Sequence, residues 1–334
     1  MIQRTIKKRI EKSFFKKKAI IIYGARQVGK TTLVQQIRKD FPSIKSLYLN
    51  CDEPDIREDL TNVSSTKLKF LLGKNKLVFI DEAQRVLNIG LTIKLLVDNF
   101  PSIQVIATGS SSFDLANRIA EPLTGRIYTF VLLPFSFQEL TAKYSLIELK
   151  RTLSERIVFG MYPEVEEKSD ESAILLKNIA ESYLYKDILQ FQDIRRPELL
   201  EKLLIAIALQ VGNEVSFNDL SNKLGVAKQT IANYINLLEK SFVLYKLTPF
   251  SGNLRNELTR KCKLYFYDTG IRNVLINNLN KLSLRQDTGL LWENFAINER
   301  MKSNLNSGKT PNIHFWRTHQ QQEIDYLEIR GSDI

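Results

Sequence analysis

Gly24-Ala25-Arg26-Gln27-Val28-Gly29-Lys30-Thr31 has the residue types and spacing of a loop that holds polyphosphate. Gly24 and Gly29 let the backbone turn sharply and approach phosphate oxygens without a Cβ in the way. Successive N–H groups can then point inward, and Lys30 brings an ammonium to the terminal phosphates. Thr31 offers a hydroxyl to Mg²⁺, and Thr32 offers the next one along, toward the α-phosphate. A second pair of groups ends the apolar run Leu77-Val78-Phe79-Ile80. Asp81 is placed to hold Mg²⁺ through its water shell, and Glu82 to orient and deprotonate an attacking water. Alone, two acids after a strand are an ordinary solvated turn. Together with the glycine-rich loop they point to hydrolysis of a nucleoside triphosphate.

These groups need a strand before the loop and a helix after it. Ala19 to Tyr23 reads as a buried strand, and Thr31 to Ile37 as the first turns of a helix whose N-terminus adds partial positive charge. Ser46–Asn50, Leu77–Ile80, Gln104–Thr108 and Ile127–Leu133 read as further strands. The expected fold is therefore α/β, a parallel sheet sandwiched by helices. A GTP-specific site would show Asn-Lys-x-Asp. Asn75-Lys76-Leu77-Val78 and Asn222-Lys223-Leu224-Gly225 both lack the Asp, which favours ATP.

Two more positions are candidates for contact with the γ-phosphate. The strand at 104–108 runs into Gly109-Ser110-Ser111-Ser112, where Ser110, with Thr108 second, would lie between Glu82 and the phosphate. A Ser-rich helix cap leading into Phe113-Asp114-Leu115 is the alternative. Arg126 precedes the strand at 127–133, where a finger arginine would reach a γ-phosphate. Arg118 competes for that role, and a plain surface arginine is the alternative for both.

The chain has 334 residues, 43% hydrophobic and 25% charged, enough for two or three packed domains. No run nears the roughly 18 apolar residues a membrane span needs. Lys7-Lys8-Arg9 and Lys16-Lys17-Lys18 flank no long apolar core, so no secretory leader is expected. Cys51 and Cys262 are too few for a disulfide framework and form no zinc pattern with His314 and His319. The expected location is the cytoplasm. Net charge is +11 and Arg4 to Lys18 is crowded with bases, so a polyanion such as DNA is a candidate partner. Ile2, Ile6, Ile10 and Phe14 recur at every fourth residue, however. A helix docked by this stripe, with lysines on its wet face, is the plainer reading.

Phe137 to Gln192 reads as mostly helical, broken by a turn at Gly160-Met161-Tyr162-Pro163. Pro197 suits the first position of a helix ending near Gly212. Ser216–Gly225 and Val226–Leu238 read as two helices joined by a tight turn at Gly225. Val243–Leu247 and Lys263–Tyr267 follow as wing-like strands, with Arg255, Arg260 and Lys261 between them. Lys228, Gln229 and Asn233 would face outward from the second helix, toward base edges or phosphates, or simply toward solvent.

This ordered set resembles the AAA+ ATPase superfamily. It comprises the loop through Thr32, Phe79-Ile-Asp-Glu-Ala83, Thr108-Gly-Ser-Ser-Ser112, Leu123-Thr-Gly-Arg126 and Leu133-Pro-Phe-Ser-Phe137. It continues with Gly160-Met-Tyr-Pro163, Tyr185-Lys-Asp187, Trp292-Glu-Asn-Phe295, Trp316-Arg-Thr318 and Glu323-Ile-Asp-Tyr326. The closer likeness is to a prokaryotic family that adds a winged helix and a restriction-nuclease-like domain. The resemblance implies an ATPase core over 1–136, a helical lid over 137–196, a winged helix over 197–273 and a partial nuclease-like domain over 274–334. It implies ATP and Mg²⁺ as cofactors, and a homo-oligomer as a candidate assembly in which Arg126 would act across protomers. The alternative is an ATP-dependent binding switch with little turnover. In nuclease-like domains an early Glu and a strand-end Asp, here Glu293 and Asp325, precede a Glu-x-Lys. None follows here, so DNA cleavage is not expected.

Overall fold

Strands β1 (Ala19–Tyr23), β3 (Leu77–Asp81) and β4 (Gln104–Gly109) are buried along their whole length. Their near-continuous runs of Ile, Val, Leu and Phe suit interior parallel strands covered on both faces. Strands β2 (Ser46–Asn50) and β5 (Ile127–Val131) are mostly half-buried and mix polar with apolar residues, as edge strands do. A computed structural model places the five in the order β2-β3-β4-β1-β5, all parallel. It describes residues 2–110, 123–182, 196–250, 261–318, 320 and 322–331. Ser111, Ser112, Arg118, Arg255, Arg260 and Tyr185-Lys-Asp187 lie outside the described residues.

Helices flank this sheet. Helix α1 (Lys7–Glu11) buries Ile10, and Ile6 before it is also buried. The helix expected over the whole Ile2–Phe14 stripe is thus limited to one turn and a half. Its first turn has no acid and no side-chain cap, so the bases there meet the positive end of the helix, and Lys7 is offset from outside that turn by Asp40 and Glu11. Phe14 packs on Phe41 instead, ring centroids 5.3 Å apart. Helix α2 (Lys30–Asp40) buries Leu33, Val34 and Ile37, one face at helical spacing. Helices α3 (Pro54–Leu60) and α4 (Ser65–Leu72) follow β2, and α5 (Ile89–Asn99) buries Ile89, Ile93 and Leu96.

The chain divides into two compact units, one of Gln3–Leu133 and the other of Pro134–Ile334 with Ile2. The second begins with short helices between Phe137 and Ala180. Their core gathers Phe135, Leu140, Leu149, Ile157 and Met161 with Leu291 and Phe295. Further on, helix Pro197–Ala208 precedes β6 (Glu214–Val215), helices Phe217–Leu224 and Lys228–Lys240, and the antiparallel pair β7 (Leu244–Pro249) and β8 (Cys262–Phe266). Ser216 caps the first of these two helices and left-handed Gly225 ends it, as its sequence suggests. After helix Thr288–Ser307, β9 (Asn312–Arg317) and β10 (Glu323–Ile329) form the expected hairpin. Strand β9 pairs in parallel with β7, so one sheet runs β10-β9-β7-β8-β6. The segments expected as separate domains over 197–273 and 274–334 therefore share a sheet.

Asp287 stabilises this second unit through two guanidiniums. It accepts from Arg272 Nη1 and, at 2.8 Å each, from Arg285 Nε and Nη2. Burial pushes its carboxyl up, but Arg285 and Arg272 outweigh that and bring it down to about 2. Such an acid stabilises the fold above its unfolded pKa, about 3.9, and loses that contribution as pH falls toward the folded value. Asp287→Asn is expected to lower unfolding free energy at pH 7 by roughly 2–4 kcal/mol, because two partly buried guanidiniums lose their counter-charge. Between pH 4 and about pH 2 the wild type should lose stability faster than the variant, so the gap narrows. Urea unfolding at pH 7 and in acid checks both outcomes.

Candidate functional site

The glycine-rich loop leaves the C-terminal end of β1, which lies between β4 and β5. Leu132 donates its N–H to Tyr23 O at 2.7 Å, so the chain after β5 runs tight against the loop. A Cβ on Gly24 would lie 2.2 Å from Leu132 O, a backbone atom with no freedom to yield. Gln27 and Gly29 both have left-handed φ, 60° and 93°. Gln27 holds this conformation at a cost on the order of 1–2 kcal/mol. The loop is therefore wound into a concave turn before α2 begins.

Lys30 is the first residue of α2 and is only 4% exposed. Its Nζ donates to Gly24 O and Ala25 O, each at 2.9 Å. The ammonium thus lies inside the loop, with backbone N–H groups of the helix start beside it. Ala25 and Val28 are buried, while Arg26 is half-buried and Gln27, Thr31 and Thr32 are exposed. Arg4, not singled out for this site by sequence, is 7% exposed and donates from Nη1 to Val28 O at 2.8 Å and from Nη2 to Leu133 O. It fixes the loop from behind.

Asp81 ends β3, next to β4 in the sheet, and is 3% exposed. Three hydroxyls donate to its carboxylate. Thr31 Oγ1 reaches Oδ2 at 2.7 Å, Tyr48 OH reaches the same oxygen at 2.6 Å, and Thr108 Oγ1 donates to Oδ1. Thr108 also accepts the Glu82 N–H at 3.0 Å, so one side chain on β4 fixes both acids. Glu82 sits in the left-handed region, φ 53° and ψ 41°. That strained backbone turns its side chain away from the strand direction. Burial raises the Tyr48 phenol pKa, and its bond to Asp81 adds to the rise. Burial, then the charge of Asp81, pushes the neighbouring Cys51 thiol up to about 12, so it stays protonated.

Ser110 lies just past β4, as expected, but its partner is new. Gln84 Nε2 donates to Ser110 Oγ at 2.9 Å and also to Glu82 Oε2. The structure thus brings Ser110 and Glu82 together through Gln84. Arg126 is different. It precedes β5, and Ala19 N–H donates to its carbonyl at 2.9 Å, which puts it beside the start of β1. The phosphate loop leaves the other end of β1, about 16 Å away at 3.3 Å per residue. Arg126 Nε pairs instead with Asp98 Oδ1 on α5 at 2.7 Å. Within one chain, Arg126 does not join the site. Parallel pairing sets its polarity: residues before strands and residues after them occupy opposite edges.

In the second unit, Glu293 and Asp325 do come close, but around a lysine. Lys263 Nζ lies 2.7 Å from Asp325 Oδ1, 3.4 Å from Glu293 Oε1, and against Glu323 Oε1. Tyr265 OH also donates to Glu293. Among the described residues no group of three or more His, Cys, Asp or Glu side chains is arranged to hold a metal ion. Asn294 of the same segment clamps backbone, accepting from Phe266 N and donating to Phe266 O. Lys228, Gln229 and Asn233 are exposed, and Gln229 Nε2 donates to Asn233 Oδ1 at 2.9 Å.

The first unit therefore presents an ammonium, a turn of N–H groups, a hydroxyl and two acids at one end of a parallel sheet. Thr31 and Asp81 give a hard cation one hydroxyl and one carboxylate. That suits Mg²⁺, which takes its other ligands from phosphates and water. Among the described residues no helix is long and apolar enough to cross a membrane.

Comparison with known proteins agrees with this architecture. Residues 16–141 match the family described as AAA domain. Residues 150–282 and 288–334 match two domains of unknown function, DUF8612 and DUF4143. An uncharacterized protein of Mycobacterium tuberculosis is 27% identical over 333 residues, covering 97% of this chain and 70% of that protein. An uncharacterized protein of Methanocaldococcus jannaschii is 28% identical over 348 residues, covering 97% and 75%. A solved Walker-type ATPase of Pyrococcus abyssi aligns with TM-score 0.53 at 16% identity, over 82% of this chain and 96% of that one. The likeness to that structure is one of fold. The AAA match and the fold together support a P-loop ATPase domain in the first unit, and they assign the domains after it no nuclease or winged-helix character.

Proposed function

We propose that the chain binds ATP with Mg²⁺ and hydrolyses it to ADP and phosphate. The observation that carries the reading is the bonded chain Thr31–Asp81–Thr108–Glu82, beside an ammonium held inside the loop. Loop N–H groups from Gly24 to Thr32 and Lys30 bind the phosphates. Thr31 and Asp81 hold Mg²⁺, which neutralises charge on the β- and γ-phosphates when bound. Glu82 orients a water and takes its proton, while Gln84 and Ser110 fix the carboxylate of Glu82. Phosphate release from ATP by the purified chain, with Mg²⁺ and with excess EDTA, tests this. Turnover is expected to need the metal. Tight ATP binding with release equal to buffer would select the switch reading instead.

The order helix, short strand, two helices and antiparallel strand pair over 197–266, with strand order β7-β8-β6, supports a winged-helix module there. It would be the part moved by nucleotide, and DNA is its candidate partner through Lys228, Gln229 and Asn233. Arg126 takes part in hydrolysis only if a neighbouring protomer presents it, as a homo-oligomer would. A cytoplasmic location fits two reduced cysteines. Cleavage of DNA is disfavoured by Lys263, which occupies the centre of the only carboxylates proposed for it.

A further inference from the structure

The excess positive charge is concentrated in one unit. Residues 1–133 hold 22 Lys and Arg against 12 Asp and Glu, while residues 134–334 hold 26 against 25. Nearly all of the +11 therefore belongs to the unit with the parallel sheet. There the strand register sets bases in a row. The residues just before β2, β3, β1 and β5 are Lys45, Lys76, Lys18 and Arg126. Lys45 adjoins Lys76 and Lys18 adjoins Arg126, and Gln104, which opens β4, bridges the two pairs. Lys76 N–H donates to Lys45 O and Gln104 N–H to Lys76 O, each at 2.9 Å. Gln104 Nε2 donates to Lys18 O at 3.0 Å, and Ala19 N–H to Arg126 O at 2.9 Å. At about 4.8 Å between strands, the row spans roughly 19 Å.

Other bases widen it. Lys16 and Lys17 lead into β1 and Lys74 precedes Lys76, all exposed. Asp98 holds Arg126, Lys76 Nζ donates to Ser102 Oγ, and Lys18 lies over the Tyr128 ring. Lys16, Lys17, Lys45 and Lys74 have no carboxylate partner among the described residues. Charge of one sign along a line, with one carboxylate, Asp98, paired to it, calls for a linear polyanion. Duplex nucleic acid offers about eleven phosphate charges over 19 Å of its axis, at one per 1.7 Å. An anionic membrane fits less well. An interfacial helix needs an apolar face toward the lipid, and Ile6 and Ile10 of the basic N-terminal segment are buried in the protein.

We propose that the edge of the parallel sheet remote from the phosphate loop docks the sugar-phosphate backbone of duplex nucleic acid without regard to sequence. The proposal does not depend on ATP hydrolysis. It differs from recognition through Lys228 and Gln229, which lie in the other unit.

The test is fluorescence anisotropy with a labelled 20-base-pair duplex between 50 and 200 mM salt. The wild type is compared with a variant combining Lys16→Gln, Lys17→Gln, Lys45→Gln and Lys74→Gln, and with Lys228→Ala. All four lysines are exposed, so melting temperature and ATP affinity should stay at wild-type values. The four-lysine variant is expected to bind at least tenfold more weakly at 50 mM salt. Its slope of log affinity against log salt should fall by about 3.6, one phosphate contact for each of the four lysines lost. Lys228→Ala should stay within twofold of wild type. Equal duplex binding by the four-lysine variant would overturn the proposal. So would a loss confined to Lys228→Ala, or wild-type binding to phosphatidylserine vesicles with none to duplex.

Discussion

Glu82→Gln is expected to lower steady-state ATP turnover by at least a hundredfold while ATP affinity stays within about threefold of wild type. A positioned general base contributes roughly 10²–10⁴ in rate, and an amide cannot take the proton that a carboxylate takes. The substitution is close to isosteric, so the left-handed backbone at 82 and the Thr108 bond to the Glu82 N–H are undisturbed. The new side-chain oxygen can still accept from Gln84 Nε2. Nothing that touches phosphate is removed, because Lys30, Thr31 and Asp81 keep their partners. Single-turnover phosphate release should slow to the same degree as steady-state release, since the loss is in the chemical step. A fluorescent-nucleotide titration reads the affinity. Unchanged turnover would take the proton-acceptor role away from Glu82 and leave it a residue that shapes the turn after β3.

The phosphate loop is legible in sequence because its determinants are local. Gly24 to Thr31 lie within one turn and one helix start, and each residue type answers to a backbone or charge demand made there. Asp81 and Glu82 are legible for the same reason, as the end of an apolar strand. What sequence could not disclose is set by strand order. Tyr48 and Thr108 meet Asp81 because β2 and β4 both flank β3, although they lie 33 and 27 positions away. Gln84 would have been found by asking which amide near Glu82 could restrain it. Arg4 offered only the signal of an arginine within an apolar stripe. Arg126 shows the converse: strand direction puts it at the edge remote from the loop, so a finger role for it calls for a second protomer. In the second unit, Glu293 and Asp325 both lie against one lysine. Lys263, from a strand assigned to another segment, decides what they do. The parallel pairing of Thr248 with His314 that joins those segments has no local sequence mark.

Lys30→Ala should abolish ATP binding in the working range, weakening affinity by a hundredfold or more. The ammonium is almost wholly buried and fixed by two loop carbonyls, so it is oriented before nucleotide arrives. Its attraction to a phosphate oxygen at about 4 Å is on the order of 4 kcal/mol at an effective dielectric constant near 20. Part of that is offset because the carbonyls lose a donor when phosphate takes it. The remainder corresponds to about two decades in affinity, at 1.4 kcal/mol per decade. Stability without nucleotide should change little, since loss of two hydrogen bonds is countered by removal of a desolvated charge. Thermodynamic linkage makes the distinction measurable. At an ATP concentration of 100 times the wild-type Kd, the wild type gains about 2.7 kcal/mol of unfolding free energy. With affinity lowered a hundredfold, the variant gains only about 0.4 kcal/mol at the same concentration. Lys30→Arg should not restore binding. A planar, forked guanidinium cannot place one compact donor where Nζ sits between Gly24 O and Ala25 O. Wild-type ATP affinity in the alanine variant would mean that the loop's N–H groups hold the phosphates unaided, and that Lys30 serves only to brace the turn from Gly24 to Ala25.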